Sequence, residues 1–66
     1  MFNMSTRSRL FLEKNCPELL KETNLRQFLL DFDEFITMYG LDENDDMTLF
    51  GHEAQTVYDE IYMCNK

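Results

Sequence analysis

The sequence predicts an all-α fold, a small three-helix antiparallel bundle with a broken N-terminal helix. Three observations lead there. Apolar residues recur at i, i+3 and i+4 over two long stretches, no alternating polar–apolar run of useful length is present, and Pro17 and Gly40 stand where helices should break or end. A chain of 66 residues holds one domain, residues 1–66, with no room for a second core. Its hydrophobic fraction of 44%, with six Phe and three Tyr, argues for a folded chain despite the charge. A core of this size rarely yields more than roughly 3–5 kcal/mol of net stability. Self-association or a partner is therefore expected to add to it.

Ser5 and Thr6 are good N-cap residues before Arg7–Lys14, a short helical stretch. Pro17 cannot continue that helix but suits the first position of another turn, so Pro17–Glu22 is expected to form one or two further turns. Leu10, Phe11, Leu19 and Leu20 supply the apolar side of this broken helix. Asn24 with Gln27 three residues on has a capping-box pattern and opens the second helix, Leu25 to Tyr39. Its stripe is Leu25, Phe28, Leu29, Phe32, Phe35, Ile36 and Tyr39, with Leu30 and Met38 outside it. Gly40 is expected to end the helix as a left-handed residue. The third helix follows the acidic loop Asp42–Asp46, capped by Asp46 or Thr48. Phe50, Ala54, Val57, Tyr58, Ile61 and Cys64 form its stripe. Gly51 near its start costs about 1 kcal/mol relative to Ala, which points to a close approach there.

Charge divides the chain at Arg26. Up to that residue five cations stand against three acids, a sum of +2; beyond it ten acids stand against Lys66 alone, a sum of −9, which together give the formal −7. So lopsided a distribution projects a negative field from the second helix, the loop and the third helix. Direct nucleic-acid binding is disfavoured, because that region repels phosphate and the third helix lacks the Arg, Lys, Asn and Gln of a recognition helix.

Cys16 and Cys64 do not make a disulfide framework, no signal-peptide pattern precedes Ser5, and no stretch approaches the ~20 apolar residues of a membrane span. A cytoplasmic protein with two reduced thiols is expected. Cys16 should pack as a small hydrophobe and Cys64 should lie near a fraying end. Met4 is an alternative start, which would leave Met1–Asn3 without structural meaning.

No catalytic residue and no cofactor is expected. Cys16 and His52 could be drawn as a nucleophile pair, but nothing around them supports it, and the lone His52 has no ligand set for zinc. The loop invites a calcium reading: Asp42, Asn44, Asp46, Thr48 and Glu53 fall at the first, third, fifth, seventh and twelfth places, a spacing that resembles the EF-hand loop. Met47 at the sixth place, where that loop needs glycine, and Phe50 at the ninth depart from it.

A degenerate calcium site of this kind is the third reading of function, and two others stand ahead of it. In the first, the domain is a small acidic inhibitor that binds a basic protein surface and mimics nucleic acid, as anti-CRISPR or anti-restriction proteins of mobile elements act on host defence nucleases. In the second it is an adaptor or antitoxin-like subunit held by apolar contacts, and a homodimer seam is also conceivable. The residues expected to bind the partner are Asp31, Glu34, Asp42, Glu43, Asp45, Asp46, Glu53, Asp59, Glu60, Tyr62 and Met63.

Overall fold

A computed structural model of the chain describes residues 3–65. Helices α1 (Thr6–Asn15), α2 (Leu25–Tyr39) and α3 (Leu49–Cys64) form the bundle, with a 3-10 turn over Pro17–Lys21 completing the broken N-terminal segment. The all-α expectation holds, and among the described residues the only β pairing is an isolated bridge between Leu41 and Met47.

Each helix begins where its capping residue predicts. Ser5 Oγ accepts from Ser8 N, Asn24 Oδ1 from Gln27 N and Thr48 Oγ1 from Gly51 N, so each satisfies a backbone donor that a helix start leaves free. Thr48, not Asp46, therefore caps α3. The capping box at Asn24 is only half made: Gln27 Nε2 reaches forward to Asp31 Oδ1 at 2.9 Å, and the Asn24 N–H donates to Glu22 Oε1 at 3.0 Å instead. Gly40 departs from expectation. Its φ of −97° and ψ of −2° are right-handed, so any residue could adopt them. The left-handed residue is Asp45, with φ 63°, inside the acidic loop.

Gly40 is nevertheless a position where only glycine fits, for a packing reason. A Cβ there would lie 2.6 Å from Ile36 O and 2.8 Å from Gly51 Cα, and a Cβ on Gly51 would run into Gly40 O. The two glycines let the end of α2 touch the first turn of α3, the close approach that Gly51 signalled. From that crossing the helices run antiparallel, with Phe32 of α2 beside Tyr58 of α3 at 5.9 Å between ring centres.

The core is the meeting of three stripes: Phe11 and Leu12 of α1, Phe28, Phe32 and Ile36 of α2, and Ala54, Val57 and Ile61 of α3. Met4, Leu19, Leu20 and Cys16 close it from the N-terminal side, in keeping with Cys16 as a small packing residue. Two residues of the α2 and α3 stripes are exposed. Tyr39 and Cys64 are the last residues of their helices, and both are exposed.

The terminal segments are tied together. Asn3 N donates to Asn65 Oδ1 at 2.7 Å, and Asn65 Nδ2 donates to Asn3 O at 2.6 Å and to Ile61 O at 2.8 Å. Asn3 thus fastens the N-terminal segment to the last turn of α3. Met1, Phe2 and Lys66, the single cation of the acidic half, lie outside the described residues.

Candidate interaction surface

The acidic loop is a closed turn. Asp42 N donates to Asp46 O at 2.8 Å and Asp45 N to Asp42 O at 3.0 Å. Asp42 Oδ1 accepts from Asn44 N at 2.8 Å and from Asp46 N at 3.0 Å, the short-range bonding that suits Asp to turns. The left-handed Asp45 and the Leu41–Met47 bridge complete the reversal. Thr48 then fixes the loop to α2, since its N–H and its hydroxyl both donate to Gly40 O, at 2.9 and 3.1 Å. Glu43, Asp45 and Asp46 are left exposed on a hydrogen-bonded frame at one end of the bundle.

This geometry separates the residues that the EF-hand spacing groups. Asp42 Oδ1 is occupied by backbone donors, Thr48 caps a helix, and Glu53 stands in the second turn of α3, lining a pocket with Arg7 and Lys14 of α1. Among the described residues no cluster of three or more His, Cys, Asp or Glu is placed to hold a metal. Burial pushes the Cys16 thiol up to about 11, so at neutral pH it is protonated and a poor nucleophile, and His52 is exposed on α3.

The other acids fall into three groups. Glu53 and Glu60 turn toward α1. Ser8, fully buried, donates its hydroxyl to Glu60 Oε1 at 2.8 Å and itself accepts from Ser5 Oγ at 3.2 Å. Hydrogen bonds from Ser5 and Ser8 hold the Glu60 carboxyl below its ordinary value of 4.5, with a smaller contribution from the Arg7 charge. Glu60 therefore clamps α1 to α3, a structural role beside the partner contact expected of it. Asp33 and Asp59 flank Tyr58 on the opposite side. Tyr58 titrates above its ordinary 10.0 because burial disfavours its charged form, and the two carboxylates add to that. Tyr62 and Met63 lie exposed farther along α3.

Because the folded state holds the Glu60 proton less tightly than the unfolded chain, the clamp stabilises the domain above pH 4.5 and is lost as pH falls through the lowered folded value. Ser8→Ala should lower the melting temperature at neutral pH and shrink that acid-side loss of stability. Thermal melts of both proteins from about pH 3 to pH 7 check this, and an unchanged acid limb in the variant would remove Glu60 as its source.

Asp31 and Glu34 belong to a third place, which the sequence did not single out. Between the 3-10 turn and the C-terminal half of α2 lies a cleft of about 680 Å³. Phe35 and Phe50, whose ring centres are 6.0 Å apart, form its apolar part with Leu19. Glu18 stands on one wall, Asp31 and Glu34 on the other, and no Lys, Arg or His is among its lining residues. Met38 and Tyr39 border it, 62% and 61% exposed, with the Tyr39 ring tilted against Phe35 at 5.0 Å between centres. Comparison with family models, curated proteins and solved structures finds no match. The surface is thus read from its own chemistry. Among the described residues, no helix is long and apolar enough to cross a membrane.

Asp33, Met38 and Tyr39 are surface residues that do not stand among those expected to bind the partner. A signal for Met38 is present, since a large apolar side chain falls outside the α2 stripe. Tyr39 is masked by its position on that stripe.

Proposed function

We propose that this domain is a non-enzymatic inhibitor that occupies the basic, nucleic-acid-binding surface of another protein, such as a host defence nuclease. The observation that carries this reading is the loop. A mimic of the phosphate backbone needs carboxylates held outward on a fixed frame, and Glu43, Asp45 and Asp46 stand exposed on a turn fastened by backbone and Asp42 hydrogen bonds. Asp33 and Asp59 extend the negative field along the hairpin. Nucleic acid itself is repelled by such a surface, so the partner is a protein. A cytoplasmic setting with reduced thiols suits this role.

The test combines salt with charge removal. Partners are captured on the immobilised domain at low and at high salt and identified by mass spectrometry. The recovered partner's binding to nucleic acid is then measured with and without the domain. Capture should fall steeply with salt, and the domain should compete with nucleic acid. The variant D42N/E43Q/D45N/D46N keeps an acceptor at Asp42 and a residue tolerant of left-handed backbone at Asp45, so the turn should survive. Its affinity should drop by about tenfold or more.

The second reading, an adaptor or antitoxin-like subunit, is favoured by the exposed Tyr62 and Met63. Capture that resists salt and charge removal but is lost in Tyr62→Ala or Met63→Ala would replace the mimic with the adaptor.

A further inference from the structure

We propose that the cleft between the 3-10 turn and α2 receives a short amphipathic basic segment of the partner protein. An apolar side chain of that segment sits on Phe35 and Phe50, and Lys or Arg residues beside it meet Glu18 on one wall and Asp31 and Glu34 on the other. The inference rests on the reading that the domain binds a basic protein, and it names the part of the partner that this second surface takes.

Three observations commit the cleft to that occupant. Its volume of about 680 Å³ exceeds what one side chain fills and matches a few residues of chain. Its walls carry three carboxylates and no cation, so an acidic or phosphorylated segment is repelled and a purely apolar one leaves those carboxylates to be desolvated without partners. Asp31 accepts one hydrogen bond, from Gln27, and a carboxylate has capacity for several more. Met38 and Tyr39 at the border are residue types that adapt to, and anchor, protein contacts.

A competing occupant is visible in the chain itself. Arg7, Leu10 and Lys14 give α1 a basic, partly apolar outer side, with Leu10 58% exposed, so a second copy could in principle present a segment of the stated chemistry. Self-association is accordingly one outcome of the test.

The probe is a capped synthetic peptide of Lys and Leu patterned as an amphipathic helix, with a Glu/Leu peptide of the same pattern as its control. Binding to the full chain is followed by NMR, using backbone amides and the Met38 methyl group. The Lys/Leu peptide should shift Leu19, Phe35, Met38 and Phe50, and the Glu/Leu peptide should not bind. E18Q/D31N/E34Q and Met38→Ala should each weaken the Lys/Leu peptide by about tenfold with unchanged helical circular dichroism. Shifts confined to residues 42–46 would overturn the proposal, as would equal binding of the Glu/Leu peptide. Cleft shifts that grow with protein concentration alone, with dimer mass by sedimentation, would assign the cleft to a second copy and likewise overturn it. The two readings fail separately. Loss of partner capture on neutralising the loop, with no peptide at the cleft, sinks only the cleft; peptide binding at the cleft without salt-sensitive, loop-dependent capture sinks only the mimic.

Discussion

Phe32→Ala is expected to leave the domain largely unfolded at room temperature. Phe32 is fully buried, and its ring lies within 5.8–6.4 Å, centre to centre, of Phe28, Phe11, Tyr58 and Phe35. Those neighbours come from all three helices, so the side chain is shared by every interface of the bundle. Truncating a buried Phe costs about 3–5 kcal/mol, the lost transfer energy plus the cavity left behind. That equals the roughly 3–5 kcal/mol a core of this size provides. Aromatic pairing adds about 0.5–1.5 kcal/mol per favourable contact, which makes the loss larger still. The measurement is far-UV circular dichroism with a urea titration. Leu30→Ala is the control, because Leu30 is 59% exposed on the same helix and should change stability by no more than about 0.5 kcal/mol. A folded Phe32→Ala protein with a urea midpoint near the parent's would show that these rings do not form one core.

The second helix is legible in the sequence because what defines it is local. Its stripe has the 3.6-residue period and its start has Asn24, and both survive folding: backbone donors need a cap and an apolar face needs cover. The misses are of a different kind. Periodicity reports which side of a helix a residue takes, not whether another element reaches that far along the axis, so Tyr39 and Cys64 fall on stripes whose last positions nothing covers. Gly40 reads as a conformational stop when the cause is a crossing with Gly51, a residue 11 positions away in sequence. The left-handed turn falls to Asp45, and several Asp and Asn residues of the loop tolerate that backbone equally well, so residue type alone does not single it out.

The candidate surface is legible in the same partial way. Counting charges locates the acids on the hairpin, but counting cannot say which way they turn. Glu60 groups with the outward acids because it lies off the α3 apolar stripe, yet Ser8, more than fifty residues earlier, reaches it across the bundle. Glu53 lines a shallow pocket with Arg7 and Lys14. The basic N-terminal helix therefore neutralises one edge of the hairpin, and the uncompensated acids are those of the loop, the Asp33–Asp59 side and the cleft. The cleft itself needs the 3-10 turn folded back on α2, a long-range event with no local signature.

Gly51→Ala is the prediction that joins the fold to the loop. In an ordinary helix this change stabilises by about 1 kcal/mol, through helix propensity and a less flexible unfolded chain. Here the new methyl group meets the carbonyl of Gly40 and lies 2.7 Å from Met47 Cγ. Met47 can swing aside, being a flexible side chain. The carbonyl cannot, because the backbone N–H and the hydroxyl of Thr48 both hold it. The hairpin must then open at its closed end, and overpacking of that kind costs about 1–3 kcal/mol or more. With backbone on one side of the clash, the steric penalty should exceed the propensity gain, lowering the melting temperature by about 10 °C for a net loss near 2 kcal/mol. Gly40→Ala should act alike, and the double variant should lose less than the two single losses combined, since one separation relieves both clashes. The loop should report the opening. Amide exchange at Thr48 and Asp46 should accelerate in Gly51→Ala while Phe32 and Val57 stay protected. A variant as stable as the parent would mean that the two backbones stand apart at the crossing, and the loop's acids would then lack the fixed frame that mimicry requires.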